Sequence, residues 1–190
     1  MKKILLSVCL LMLAIAGIAQ TTWKSDKSHS QLKFDITHYG INTVSGTFSD
    51  FEVLVLSEKE DFSDAVVELK AKATSINTGI NGRDEHLRSA DFFDVATHPE
   101  ISFKSNGIKK AANNKYEVAG DLTMHGITKP VTLQLELRGT FTNPRNQKKI
   151  AGLRITGTIK RSDFGIGPKF PSTSLGEEVI ITGDGEFAKQ

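Results

Sequence analysis

Cysteine is nearly missing from this chain. Its 190 residues contain one, Cys9, and that one lies inside an N-terminal apolar run. The run, MKKILLSVCLLMLAIAGIAQ, has a basic start at Lys2 and Lys3 and an apolar stretch from Ile4 to Ile18. Small residues stand near its end, at Gly17 and Ala19. This is the build of a secretory signal peptide, with cleavage expected between Ala19 and Gln20. The run is short for a membrane span and has no stop-transfer flank. No small-residue pair precedes Cys9, which argues against a lipoprotein attachment site. The expected division is therefore a signal peptide over 1–19 and one domain over 20–190, delivered to the periplasm. Cleavage removes the cysteine, and with it disulfides and thiolate chemistry.

Charge of one sign is lacking too. Lys and Arg number 24 against 22 Asp and Glu, a net charge of +2, which Lys2 and Lys3 account for. A near-neutral mature chain has no basic excess for nucleic acid and no like-charge block for a disordered tail. A basic, aromatic-rich surface for single strands is also missing. Pro- and Ser-rich linkers, composition breaks and solenoid-period repeats are absent. A mature length of about 170 residues suits one domain.

What recurs is alternation. In SQLKFDITHYG, Leu32, Phe34, Ile36 and His38 share one face, and Lys33, Asp35 and Thr37 the other. Val67, Leu69, Ala71 and Ala73 oppose Val66, Glu68, Lys70 and Lys72. Val131, Leu133, Leu135 and Leu137 oppose Thr132, Gln134, Glu136 and Arg138. Period two with one apolar face means half-buried strands. The runs predict eight, over 31–39, 44–55, 65–73, 100–108, 115–124, 131–141, 149–160 and 177–188. Turn residues such as Tyr39-Gly40 and Asn143-Pro144-Arg145 separate most of them. Helical spacing is weak and confined to Asn81–Ala90, with Asn81 the expected cap. The predicted fold is all-β, an eight-stranded antiparallel up-and-down barrel with a short helix in the long connection after the third strand. Long strands in neighbour order favour a barrel, which leaves no open edge. Such a barrel is filled by side chains or holds one small ligand.

An outer-membrane barrel shares this pattern. One Trp and two Tyr are too few for two interfacial girdles, Lys and Glu recur in mid-strand, and the chain ends without a terminal aromatic. The apolar face is therefore expected to point inward.

Site chemistry is thin. The histidines are His29, His38, His86, His98 and His125, and none pair as HxH or HExxH. Nothing in their spacing supplies the four converging ligands of a structural zinc site, so no metal and no cofactor are expected. There is no GxSxG elbow, and Gly165-Ile166-Gly167 is too little for a phosphate cradle. His38 shares the apolar face of its strand and is expected at the barrel mouth, as a core histidine or a ligand contact. Arg83, Asp84, Glu85, His86 and Arg88 crowd one short stretch, GRDEHLRSADFFD. Adjacent Asp84 and Glu85 diverge on a helix, whereas carboxylates paired for acid–base work converge. An exposed ion pair between Arg83 and Asp84 is expected instead. Leu87, Phe92 and Phe93 would turn inward as a plug across one barrel end, with the charges outward.

These residues carry a resemblance. The chain resembles the YceI-like, polyisoprenoid-binding family of secreted bacterial proteins over nearly all its mature length. The matching stretches are DKSHSQLKFDITHYG, VSGTFSDF, INTGINGRDEHLRSADFFDVATHPEISFKS, GDLTMHGITKPV and IKRSDFGIG. The RD-x-HL-x-S-x-FFD block is the most specific. The resemblance implies an extended lipocalin-like barrel with a long apolar tunnel for polyprenyl or quinone-type isoprenoids, or for fatty-acid-like lipids. It implies a binding protein without a catalytic residue, and a homodimer by analogy, though no strand identifies an interface. The expected tunnel lining is Phe34, Ile36, Phe48, Val67, Leu69, Phe92, Phe93, Phe103, Leu122, Leu133, Leu135 and Phe164, each equally readable as plain core. His38, Arg83 and Asp84 are the expected polar mouth. The competing class is an enzyme acting on an isoprenoid or lipid through the Arg83–His86 cluster.

Overall fold

The period-two pattern is realised as strand along almost its whole length. A computed structural model, describing residues 21–190, folds them into one antiparallel sheet that closes on itself. Its strands are β1 (Thr22–His38), β2 (Asn42–Phe48), β3 (Phe51–Leu56), β4 (Val66–Lys72) and β5 (Ile76–Asn77). They continue with β6 (Glu100–Ala112), β7 (Lys115–Met124), β8 (Ile127–Thr142), β9 (Lys149–Lys160) and β10 (Leu175–Lys189). The expected signal peptide over 1–19 lies outside the described residues.

The expected single strand 44–55 is split. β2 and β3 are halves of one stave, both paired to β1 and interrupted at Ser49 and Asp50. β5 is a two-residue addition to β2. The barrel therefore has eight staves, β1, β2–β3, β4, β6, β7, β8, β9 and β10, closed by β10 on β1. Strand β1 begins well before residue 31. Trp23 and Ser25 are buried, but a register shift between Ser25 and Ser30 breaks the alternation that marks the rest of the strand. Pro130 sits inside β8 because the ladder to β9 starts only at Gln134 paired with Thr156.

The two ends differ. At one end the loop 57–65 turns inward and buries Phe62 against Trp23, with ring centroids 5.0 Å apart. Tyr116, fully buried, donates its hydroxyl proton to the Asp61 carbonyl. Asp64 braces the loop, accepting from the Ser57 hydroxyl and the Glu58 and Lys59 amides. At the other end the connection 73–99 crosses the barrel. It carries a 3-10 turn at Ala73–Ser75 and helix α1 (Asn81–Arg88). Asn81 is not the cap. Ile80 holds that position without a side-chain bond, and Asn81 is the first helical residue.

Candidate functional site

An apolar cavity of about 510 Å³ fills the barrel between these two ends. Phe34, Ile36, Val44 and Phe48 form one wall, Val67, Leu69 and Phe103 another, and Leu133, Leu135, Leu153 and Ile155 a third. The strand pleat explains this, since alternate residues of every stave face inward. Glycines deepen it. A Cβ at Gly46 would lie 2.3 Å from the Phe34 ring, and one at Gly157 2.3 Å from Leu133 Cδ2. Large inward side chains thus lie down over glycine in the neighbouring strand and leave the middle unfilled. Trp23, Phe62 and Tyr116 are not part of the wall, so the Phe62 end is solid. The wall includes His38, Tyr39 and Asn42 at the opposite end, where Tyr39 is 62% exposed. That end is the mouth.

Two covers close the mouth. The first is α1 with the turn after it. Leu87, Phe92 and Phe93 face the cavity, and Phe93 meets Phe48 edge-on with centroids 5.8 Å apart. The second is the segment 166–175, which contributes Ile166, Phe170, Ser174 and Leu175. Phe92 and Phe170 stack at 5.0 Å, and His86 meets Phe92 edge-on at 4.9 Å. The Lys169 ammonium donates to the Asp91 carboxylate at 2.6 Å. The covers are therefore joined to each other over the cavity.

The charged stretch holds the first cover down. Asp84 is buried and accepts both the Thr78 amide (2.8 Å) and the Thr78 hydroxyl (2.6 Å). Arg83 donates from Nε to the Thr78 hydroxyl oxygen (2.7 Å) and from Nη2 to the Thr78 carbonyl (3.0 Å). The expected exposed ion pair between Arg83 and Asp84 does not form; Thr78 stands between them. Burial pushes the Asp84 carboxyl up, but the two Thr78 hydrogen bonds, with Arg88 and Arg83 nearby, outweigh it and hold the group below the usual aspartate range. Arg88 donates to the Thr74 and Ile76 carbonyls, fixing the helix to the preceding turn.

Arg161 holds the second cover. It is buried, and its guanidinium donates to the carbonyls of Gly176, Ile166, Gly167, Phe170 and Leu175. Five carbonyls in one short segment are satisfied by one fork of donors.

All the residues expected to line a tunnel or its mouth belong to the wall except Asp84 and Phe164. Asp84 is turned to Thr78, and Phe164 is buried beside the β7–β8 turn, where its carbonyl meets His125 Nδ1 at 2.9 Å. Sequence reasoning named His86 only in the charged cluster and did not place it, Arg161, Phe170 or Ser30 on the wall. Arg161 lies in the quoted IKRSDFGIG stretch. Ser30 continues the inward face of Leu32, Phe34 and Ile36 by simple alternation, but its polar side chain did not read as lining. Its Oγ is buried in the wall without a protein partner among the described residues.

A model of the YceI-like domain matches residues 23–187. The chain is 36% identical over 190 residues to Protein YceI of Escherichia coli, covering 97% of this chain and 98% of that one. Its fold is similar to the crystal structure of the Campylobacter jejuni YceI protein. The TM-score is 0.73 and the identity 27%, over 82% of this chain and 90% of that one. A polyisoprenoid binding domain from Saccharophagus degradans, implicated in plant cell wall breakdown, shares the fold at TM-score 0.66 and 15% identity. That match covers 90% of this chain and 99% of the domain.

Proposed function

Because the chain belongs to the YceI-like family, we propose that it binds, carries or stores a long-chain amphiphile of the polyisoprenoid, isoprenoid-quinone or fatty-acid type in the barrel cavity. The observation that carries this is the cavity itself: about 510 Å³, within the range of small-molecule sites, and walled almost wholly by carbon. Each buried methylene is worth roughly 0.8 kcal/mol, so a long chain gains far more than a compact ligand. Ordering a flexible chain removes part of that gain.

The binding reading is preferred to catalysis because the charged stretch is committed to structure. Asp84 and Arg83 are satisfied by Thr78, and Arg88 by backbone carbonyls. His86 is held between aromatic rings, its Nε2 3.6 Å from Asp91. The N-terminal apolar run supports delivery to the periplasm. Tyr39, Ile41 and Ile80 keep apolar surface in water at the mouth end, a means of meeting lipid.

The test is lipid extraction and mass spectrometry of protein purified from the periplasm of its own host. One amphiphile of defined mass per chain is expected. A barrel that carries none, and takes up none from a polyprenol suspension, contradicts the reading.

A further inference from the structure

We propose that Asp94, His98 and His125 form a site for one divalent transition-metal ion of the zinc class, at the mouth end of the barrel and outside the cavity wall. The histidine spacing in the sequence gives no hint of it, because the fold brings the three together from separate turns. Asp94 and His98 lie in the turns after α1, and His125 in the two-residue turn between β7 and β8. One ligand atom of each lies within 4.8 Å of those of the other two, and all three residues are partly buried. None of them lines the cavity.

The surroundings favour an ion. His125 Nδ1 is 2.9 Å from the Phe164 carbonyl oxygen. A carbonyl can only accept, so Nδ1 carries the proton and Nε2 keeps a free lone pair. This is the arrangement that orients metal-bound imidazoles elsewhere. The His98 ring lies against Gly126, where a Cβ would sit 2.5 Å from Cε1. Glycine at that position lets the two imidazoles approach to a 5.0 Å centroid separation. The backbone is set for convergence too. Asp94 (φ 43°) and His125 (φ 52°) both hold left-handed conformations, and the His98 amide donates to the Asp94 carbonyl at 2.8 Å.

Two imidazoles and one carboxylate suit zinc with a fourth, solvent position. Calcium and magnesium prefer all-oxygen sites. An ion 2.0–2.2 Å from each ligand needs ligand atoms about 3.3 Å apart, so the side chains close by small rotations on binding. Bound there, the ion would tie the first cover to the β7–β8 turn and, through His125, to the Phe164 backbone at the root of the second.

The test uses untagged protein freed of metal by a chelator, dialysed against Zn2+ alone and read by elemental analysis. One ion per chain is expected, with a melting midpoint raised by about 5 °C at a hundredfold excess over the Kd. Co2+ in the same place should give the visible absorption of a tetrahedral site. Asp94→Asn, which keeps size and shape, and His98→Gln should each weaken uptake about tenfold or more with an unchanged far-UV circular dichroism spectrum. His29→Gln is the control, since Asp26, His29 and Glu186 form a second, exposed group of possible ligands. The proposal is overturned if wild-type protein binds no ion, if Asp94→Asn and His98→Gln bind it undiminished, or if His29→Gln alone removes it.

Discussion

Ser30 and Asp84 show how differently two polar side chains can be placed in one apolar barrel. The Ser30 hydroxyl is buried in the cavity wall and unpartnered, a condition that carries a desolvation cost. Ser30→Ala is therefore expected to leave the melting temperature of the empty protein unchanged or slightly raised. Thermal denaturation of the two proteins checks this, and a melting temperature lowered by several degrees in Ser30→Ala would contradict it. Asp84 is the opposite case, buried and doubly satisfied by Thr78. Asp84→Asn replaces a charged acceptor with a neutral one and should cost about 1–2 kcal/mol in denaturant unfolding.

Among the elements, the barrel ends are held by hydrogen bonds from side chains to loops. Asp64 at the Phe62 end resembles Asp84 at the mouth end. Burial pushes its carboxyl up, but the Ser57 hydroxyl and the Glu58 and Lys59 amides hold it below the usual range. Both groups have depressed folded-state pKa values. Their contribution is fully present above the unfolded value of about 3.9 and is lost as pH falls through the folded value. Acid should therefore loosen both ends below about pH 4 while the strand ladders persist. Hydrogen exchange at pH 3 and pH 7, expressed as protection factors so that the intrinsic pH dependence cancels, measures this: a larger loss of protection at pH 3 over 57–65 and 78–95 than over β7–β9 is expected, and a uniform loss would contradict it. Arg161→Lys keeps the charge but loses the fork, stranding several of the five carbonyls, two of them in fully buried bonds, and should cost about 3 kcal/mol. Denaturant unfolding reads the cost, and exchange over 166–176 should rise with it.

The strands were legible where alternation was clean, as in β4, β7 and β9. The stave 44–55 hid its break at Ser49–Asp50, because β2 and β3 keep the same partner strand across it. The first half of β1 was illegible because its buried residues, Trp23 and Ser25, are followed by a register shift among polar residues. Most of the wall could be read from the inward face alone. Ser30 follows the same alternation but is polar and so did not read as lining, and Arg161 needed the folded-back segment it binds. The charges of GRDEHLRSADFFD looked like an ion pair on a cover; only the fold shows Thr78 between them.

At the scale of the whole molecule, one continuous sheet leaves an unfilled middle, a solid end and a covered mouth. The central claim is that the middle is a chain-binding cavity and not slack in the core. Leu69 lines it and is only partly buried, so Leu69→Trp puts a large ring into the cavity without displacing the packed Phe62 end. Titration of delipidated wild-type and Leu69→Trp protein with polyprenols of increasing length tests the claim most directly. The account predicts affinity that rises with each isoprene unit and then levels off, and that falls about tenfold or more in Leu69→Trp, with stability changed by less than about 2 kcal/mol. Affinity indifferent to chain length and untouched by Leu69→Trp would contradict it.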